Sequence, residues 1–142
     1  MQLKFADGTL LPVVTTDYQQ HNSFQGFDRQ SLTVQVKTAD IALDALDALV
    51  FNATKTASIT IISDDGTVNP PFKGFTLPSG VIQVQKVALT DTAGNPTGAT
   101  EQRYRFTQYQ KTYLEQQADE QAAAINALGQ QVVALSLGGA SK

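Results

Sequence analysis

The sequence has no cysteine and no tryptophan, one histidine and one methionine among its 142 residues. Without cysteine there is no disulfide framework and no thiolate metal site, and the redox compartment is left open. Charge is sparse too. Asp, Glu, Lys and Arg make up 16% of the chain, well under the roughly 25% of an ordinary soluble domain. The net charge is −3 and the pI near 4.9. Lys and Arg are scattered, with Arg103 and Arg105 the nearest thing to a basic patch, so phosphate finds no electrostatic footprint and nucleic acid is not an expected partner. No apolar run approaches the roughly 18 residues of a membrane span, and residues 1–5 lack the charged start and apolar stretch of a signal peptide. The chain is therefore expected to be made soluble, with no membrane partner.

Chemistry-bearing constellations are missing as well. His21 sits in a polar stretch with no nucleophile tied to it by spacing and reads as a surface residue. Asp64-Asp65-Gly66 lacks the alternating ligands and distal Glu of a calcium loop and reads as a turn. Asp40, Asp44 and Asp47 share one edge of a predicted helix, where a solvated acidic face is the ordinary outcome. There is no phosphate loop, dinucleotide fingerprint, zinc spacing or nucleophile elbow. The expectation is a protein that is not an enzyme, with no cofactor, no metal and no catalytic residue.

What is present is a regular seam near the C-terminus. Leu114, Ala118, Gln121, Ile125, Leu128, Val132 and Leu135 follow one another by steps of 4, 3, 4, 3, 4 and 3. An average of 3.5 residues keeps one stripe facing a partner helix, whereas a lone surface helix carries a broader stripe of period 3.6. Residues 114–135 would span roughly 33 Å as a helix, and a helix that short is marginal alone in water. It needs a partner: its own copies, its own domain or another protein. Ile125 and Val132 at one seam position with Leu128 and Leu135 at the other favour a parallel dimer, while Ala118 and Gln121 blur the choice. Gly129 makes a break possible, and Gly138-Gly139 is expected to end the helix. All seven Phe and four Tyr lie between Phe5 and Tyr113, so the aromatic core ends before the seam begins.

The rest reads as strands and one helix. Asp7-Gly8 joins two short apolar stretches as a hairpin with a tight primed turn. Residues 16–30 are polar, lack a clean period and read as a long loop. Leu32, Val34 and Val36 alternate with polar residues as a half-buried strand. Residues 39–51 place Ala39, Ala42, Leu43, Leu46, Leu49 and Val50 on one helical face, with Thr38 as the expected N-cap. Residues 56–62 are β-branched, Asn69-Pro70-Pro71 marks a loop or edge, and residues 72–76 suit a short strand. Residues 81–89 and 100–109 alternate around Gly94-Asn95-Pro96 as a long hairpin. The sum is α+β: a β-rich barrel or sandwich over 1–110 with one inserted helix at 39–51, a coiled-coil-like helix over 111–137, and a flexible end at 138–142. Phe24, Gly26 and Phe27 form a candidate contact loop, since aromatics anchor interfaces and Gly lets backbone approach closely. The echo of Asp7-Gly8-Thr9 in Asp65-Gly66-Thr67 lacks matching flanks and reads as shared turn chemistry, not duplication.

Taken together, Phe24-Gln25-Gly26, Arg29, Ser31-Leu32, the run from Ile59 to Gly66, Arg103-Tyr104 and Thr112-Tyr113-Leu114-Glu115 resemble small proteins from the tail modules of tailed phages and prophages of Gram-positive bacteria. The resemblance covers most of the chain. It implies a virion structural role in the tail tip, baseplate or a fibre attachment, with other phage structural proteins and further copies of the chain as partners in a dimer or trimer. Receptor recognition by loop residues 16–30 and 91–99, directed at a host glycan or protein, is an alternative. So is a role in decorating the phage head.

Overall fold

The computed structural model describes the backbone of residues 1–140 and the side chains through Ala134; the seam position Leu135 and residues 141 and 142 lie outside the described side chains and residues. The chain divides into two compact units, Met1–Lys111 and Thr112–Lys142.

The first unit is α+β. Its strands are β1 (Gln2–Lys4), β2 (Leu10–Pro12), β3 (Thr15–Phe24), β4 (Phe27–Lys37), β5 (Ser58–Ile62), β6 (Phe72–Lys73), β7 (Leu77–Pro78), β8 (Gln83–Thr90) and β9 (Pro96–Tyr109), with helices α1 (Leu43–Val50) and α2 (Ala53–Thr56) between β4 and β5. Two antiparallel sheets result. One has the order β2-β1-β5-β6, and the other β3-β4-β9-β7 with β8 also on β9. Of the barrel and the sandwich expected, the barrel is not formed: among the described residues the strands do not close. β2 ends on Pro12 and β7 on Pro78, where a further strand would find no N–H donor.

One core serves both sheets and α1. Leu3, Phe5 and Leu11 come from the first sheet's hairpin, Leu32, Val34, Val36 and Phe106 from the second sheet, and Leu46, Leu49 and Val50 from α1, with Ile59 and Phe75 completing it. The inward alternation of Leu32, Val34 and Val36 is as the pattern predicts. On their other side Thr33 and Thr107 share a hydroxyl hydrogen bond of 2.9 Å, and Arg103 donates to Gln35 at 3.1 Å and to Glu101 at 2.8 Å.

Three local expectations are corrected. Residues 16–30 are not a loop: they form β3, a turn and the start of β4, paired from Thr15↔Gln35 to Phe24↔Phe27. β3 is an edge strand with most residues exposed, so it has no apolar face to write an alternation into the sequence. The inserted helix starts at Leu43, not 39, with Ala42 as an N-cap that makes no side-chain bond. Thr38 is not its cap: its N–H continues the strand pairing to the Gln102 carbonyl at 3.1 Å, the Asp40 N–H turns back onto the Lys37 carbonyl, and the helix begins only five residues on. A second helical turn, α2, goes unannounced by periodicity; Asn52 caps it by accepting from the N–H groups of Thr54 and Lys55, both at 3.1 Å.

The second unit is a single helix, α3 (Tyr113–Ala140), of 28 residues. It runs unbroken through Gly129 and also takes in Gly138-Gly139. Its start is a reciprocal cap: Thr112 Oγ1 accepts from the Glu115 N–H at 3.2 Å while the Glu115 carboxylate accepts from the Thr112 N–H at 2.9 Å. This is the Thr-x-x-Glu capping box, which satisfies two orphan donors at once.

Candidate functional site

The hairpin tip carries the candidate contact residues. Gln25 and Gly26 both have positive φ, 52° and 78°, which is the two-residue turn that matches strand twist. Gly26 therefore has a reason in the turn itself. Phe24 is half-buried and stacks on Tyr109, ring centroids 4.1 Å apart and planes within 3°. Phe27 is 51% exposed. Its ring faces the Arg29 guanidinium at 5.1 Å, a cation–π contact. Arg29 itself is buried, and it donates to the Phe24 carbonyl at 3.0 Å and to the Gln110 carbonyl at 3.2 Å. The tip is thus fastened to the end of β9. Of the two aromatics, only Phe27 is presented outward. Arg29 is the residue at this site that composition and spacing do not single out: it stands among Asp28, Gln30, Gln35 and Lys37 in the same strand, and only its burial sets it apart.

The seam residues lie along α3. Leu114 is 74%, Ile125 69%, Leu128 61% and Val132 54% exposed. A single helix has no second surface of its own to cover them. Residues 113–140 contain Glu115, Asp119 and Glu120 and no Lys or Arg, so α3 has no pair of opposite charges with which to fix the orientation of a second copy.

Two concave surfaces on the first unit escape sequence reasoning. A groove of about 580 Å³ is lined by Leu43, Asp44, Asp47, Phe51, Gly80 and Ile82. Leu43 belongs to the predicted apolar face, but it stands outside the core at the first turn of α1 and is half exposed. A second, more polar groove of about 370 Å³ lies on the outer face of the second sheet, where Gln19, Asn22, Thr33, Gln83, Arg105 and Tyr109 meet. Strand order brings these together from separate strands, which a linear reading does not reveal.

The remaining candidates resolve into local structure. His21 pairs with Asp28 at 2.7 Å, exposed, beside an irregularity in β3. Asp64 meets the Met1 amino group. Asp65 belongs to a turn in which the Gly66 N–H returns to the Ser63 carbonyl and the Ser63 N–H reaches the Thr67 carbonyl, both at 2.9 Å. Phe5-Ala6-Asp7-Gly8-Thr9 has the same two bonds, and Asp91-Thr92-Ala93-Gly94-Asn95 has them again. The Asp-Gly-Thr echo is therefore one turn type used repeatedly, with Gly in the left-handed region at φ 89° and 85° in place of the expected primed pair. Hydrogen bonds from the Thr9 side chain and backbone hold Asp7 below its ordinary value, and those from Thr67 do the same for Asp65. Glu101 is lowered first by its hydrogen bond from Arg103 and further by Lys37. Among the described residues no three His, Asp or Glu side chains gather as a metal site, and no helix is long and apolar enough to cross a membrane. Comparison with protein-family models, with curated proteins and with solved structures finds no match for this chain.

Proposed function

We propose that this chain is a non-catalytic structural protein of a phage virion, a tail, baseplate or fibre-attachment component that assembles through α3 while its β-rich unit docks on neighbouring structural proteins. The observation that carries the assembly half is a 28-residue helix with a 3.5-residue apolar repeat and exposed Leu114, Ile125, Leu128 and Val132. Burying each large side chain fully is worth about 1.5 to 3 kcal/mol, and a coiled-coil-like partner helix is what that spacing fits. The phage half rests on the resemblance of the motifs from Phe24 to Glu115. In this reading the protein is put together in the host cytoplasm and resides in the virion, and catalysis, cofactor, metal and nucleic acid have no part in it.

The test is molar mass by light scattering after size exclusion, on the full chain and on an Ile125→Asp/Leu128→Asp double variant. The full chain should be an oligomer and the variant a monomer whose β unit keeps its near-UV dichroism. A monomeric full chain would remove self-assembly from the reading. Imaging of a particle carrying the tagged chain then separates tail from head decoration.

A second reading, receptor recognition, draws support from the polar groove on the outer sheet face. Amides of Gln19, Asn22 and Gln83, the Arg105 guanidinium and the Tyr109 ring are the groups that hydrogen-bond and stack on a sugar. A glycan array probed with the full chain and with Arg105→Ala tests it; a pure connector binds no sugar.

A further inference from the structure

Resting on the assembly reading above, we infer that the partner of α3 is α3 of further copies of this chain, packed parallel and in register so that the Gln121 side chains meet one another in the seam. The unbroken helix puts Leu114, Gln121 and Leu128 at intervals of seven on one line, with Ala118, Ile125 and Val132 on the adjoining line. All of those positions are apolar or small except Gln121, which is an amide. A seam amide facing an apolar surface would be desolvated without a partner, which is costly. A primary amide is, however, its own complement, since it carries both a donor NH₂ and an acceptor oxygen. Two parallel helices in register place Gln121 opposite Gln121. An antiparallel pair centred on the seam sets it against Leu128, one heptad along. A single polar residue in a seam is the best-attested device for specifying register and copy number, at some cost in stability. Charge does not set a different orientation: Asp119 and Glu120 fall on positions that point away from a seam so defined, Glu115 flanks it only at its first turn, where its carboxylate accepts from the Thr112 N–H, and α3 has no basic residue to prefer the reverse orientation.

The cysteine-free sequence makes the test clean. In full-length Leu114→Cys, incubated in a glutathione redox buffer, parallel in-register packing brings the Cα atoms of the two substituted positions within disulfide range, roughly 4.4 to 6.8 Å, whereas antiparallel packing holds them tens of ångströms apart. The expected result is linkage of Leu114→Cys, near-complete in a dimer and of about two chains in three in a trimer, under conditions where Glu120→Cys, off the seam, stays reduced. Gln121→Glu supplies a second readout: it should dissociate the oligomer at neutral pH and let it re-form in acid, while Gln121→Leu should stay associated but lose a single defined mass. An oligomeric mass with no preferential Leu114→Cys linkage and an undisturbed Gln121→Glu variant would overturn the orientation and leave the assembly reading standing. A monomeric parent chain would overturn both.

Discussion

The two units of this chain spend their apolar residues in opposite ways. In residues 1–111 the large side chains Leu3, Leu11, Leu32, Leu46, Ile59 and Phe75 are all but inaccessible, shared among two sheets and a helix. In α3 the large seam residues Leu114, Ile125 and Leu128 stand more than half exposed. The first region encloses a core with its own contacts, while Leu10, Val68, Val81 and Val84 stay on its surface. The second has a complete start, a capping box, and a complete backbone, but its seam has no counterpart within the unit. The difference teaches that periodicity and burial are separate questions: a segment can satisfy every local rule of a helix and still draw its stability from something outside itself.

The sharpest way to break the contrast is at the core. Leu32→Ala should cost about 2 to 5 kcal/mol in urea unfolding of the β unit and leave the mass of the assembly unchanged below the transition. Loss of assembly at the same urea concentration as unfolding of the sheet would merge the two regions into one cooperative block. Next comes the clamp at the hairpin tip. Arg29→Met strands the Phe24 and Gln110 carbonyls and should cost about 1 to 3 kcal/mol, read as a lower thermal midpoint with faster amide exchange at Gln110; an unchanged midpoint would show the clamp to be ornamental. On the helical side, Thr112→Ala removes one half of the capping box and should lower helix stability by about 1 kcal/mol, visible as accelerated exchange of the Glu115 N–H with the β unit untouched.

The smallest effect is acid sensitivity. Asp7 and Asp65 titrate below the ordinary 3.8 in the folded turns. A depressed folded pKa means the turns' contribution is fully present above that ordinary value and lost as pH falls through the lower folded one. Asp7→Asn/Asp65→Asn should therefore lower stability slightly at neutral pH, where the charged turns contribute, and converge with the parent in acid, so that the acid limb of a stability-against-pH curve is flattened. An acid limb identical to the parent's would assign it to Glu101, lowered by Arg103.

Legibility in the sequence follows burial. Leu32, Val34 and Val36 are readable because one face of β4 is sealed, and Leu46, Leu49 and Val50 because α1 packs on that same core. β3 is not, since Gln19, Gln20 and His21 lie on an exposed edge where neither face demands apolar residues. The start of α1 is misread because Thr38, a good cap by type, lies where the chain is still leaving β4, five residues before the first helical one. Thr112-Tyr113-Leu114-Glu115 carries the Thr-x-x-Glu spacing of a capping box, and the fold shows it acting as the reciprocal cap of α3. Phe24 and Phe27 look equivalent by spacing, and only the stack on Tyr109 separates them. The two grooves are illegible in principle, because Gln19, Gln83 and Arg105 become neighbours only through strand order.

β9 has a further consequence for motion. Between Arg103 and Tyr109 it is flanked by β4 on one side and by β8 or β7 on the other for most of its length, but from Pro96 to Glu101 it is paired with β8 alone. A two-stranded ribbon is marginal by itself in water. One continuous strand thus grades from anchored root to lightly held tip, and hydrogen exchange along it should run from the slowest rates in the β unit at Phe106 to rates near those of loops at Ala99, a built-in gauge of where order ends within a single element.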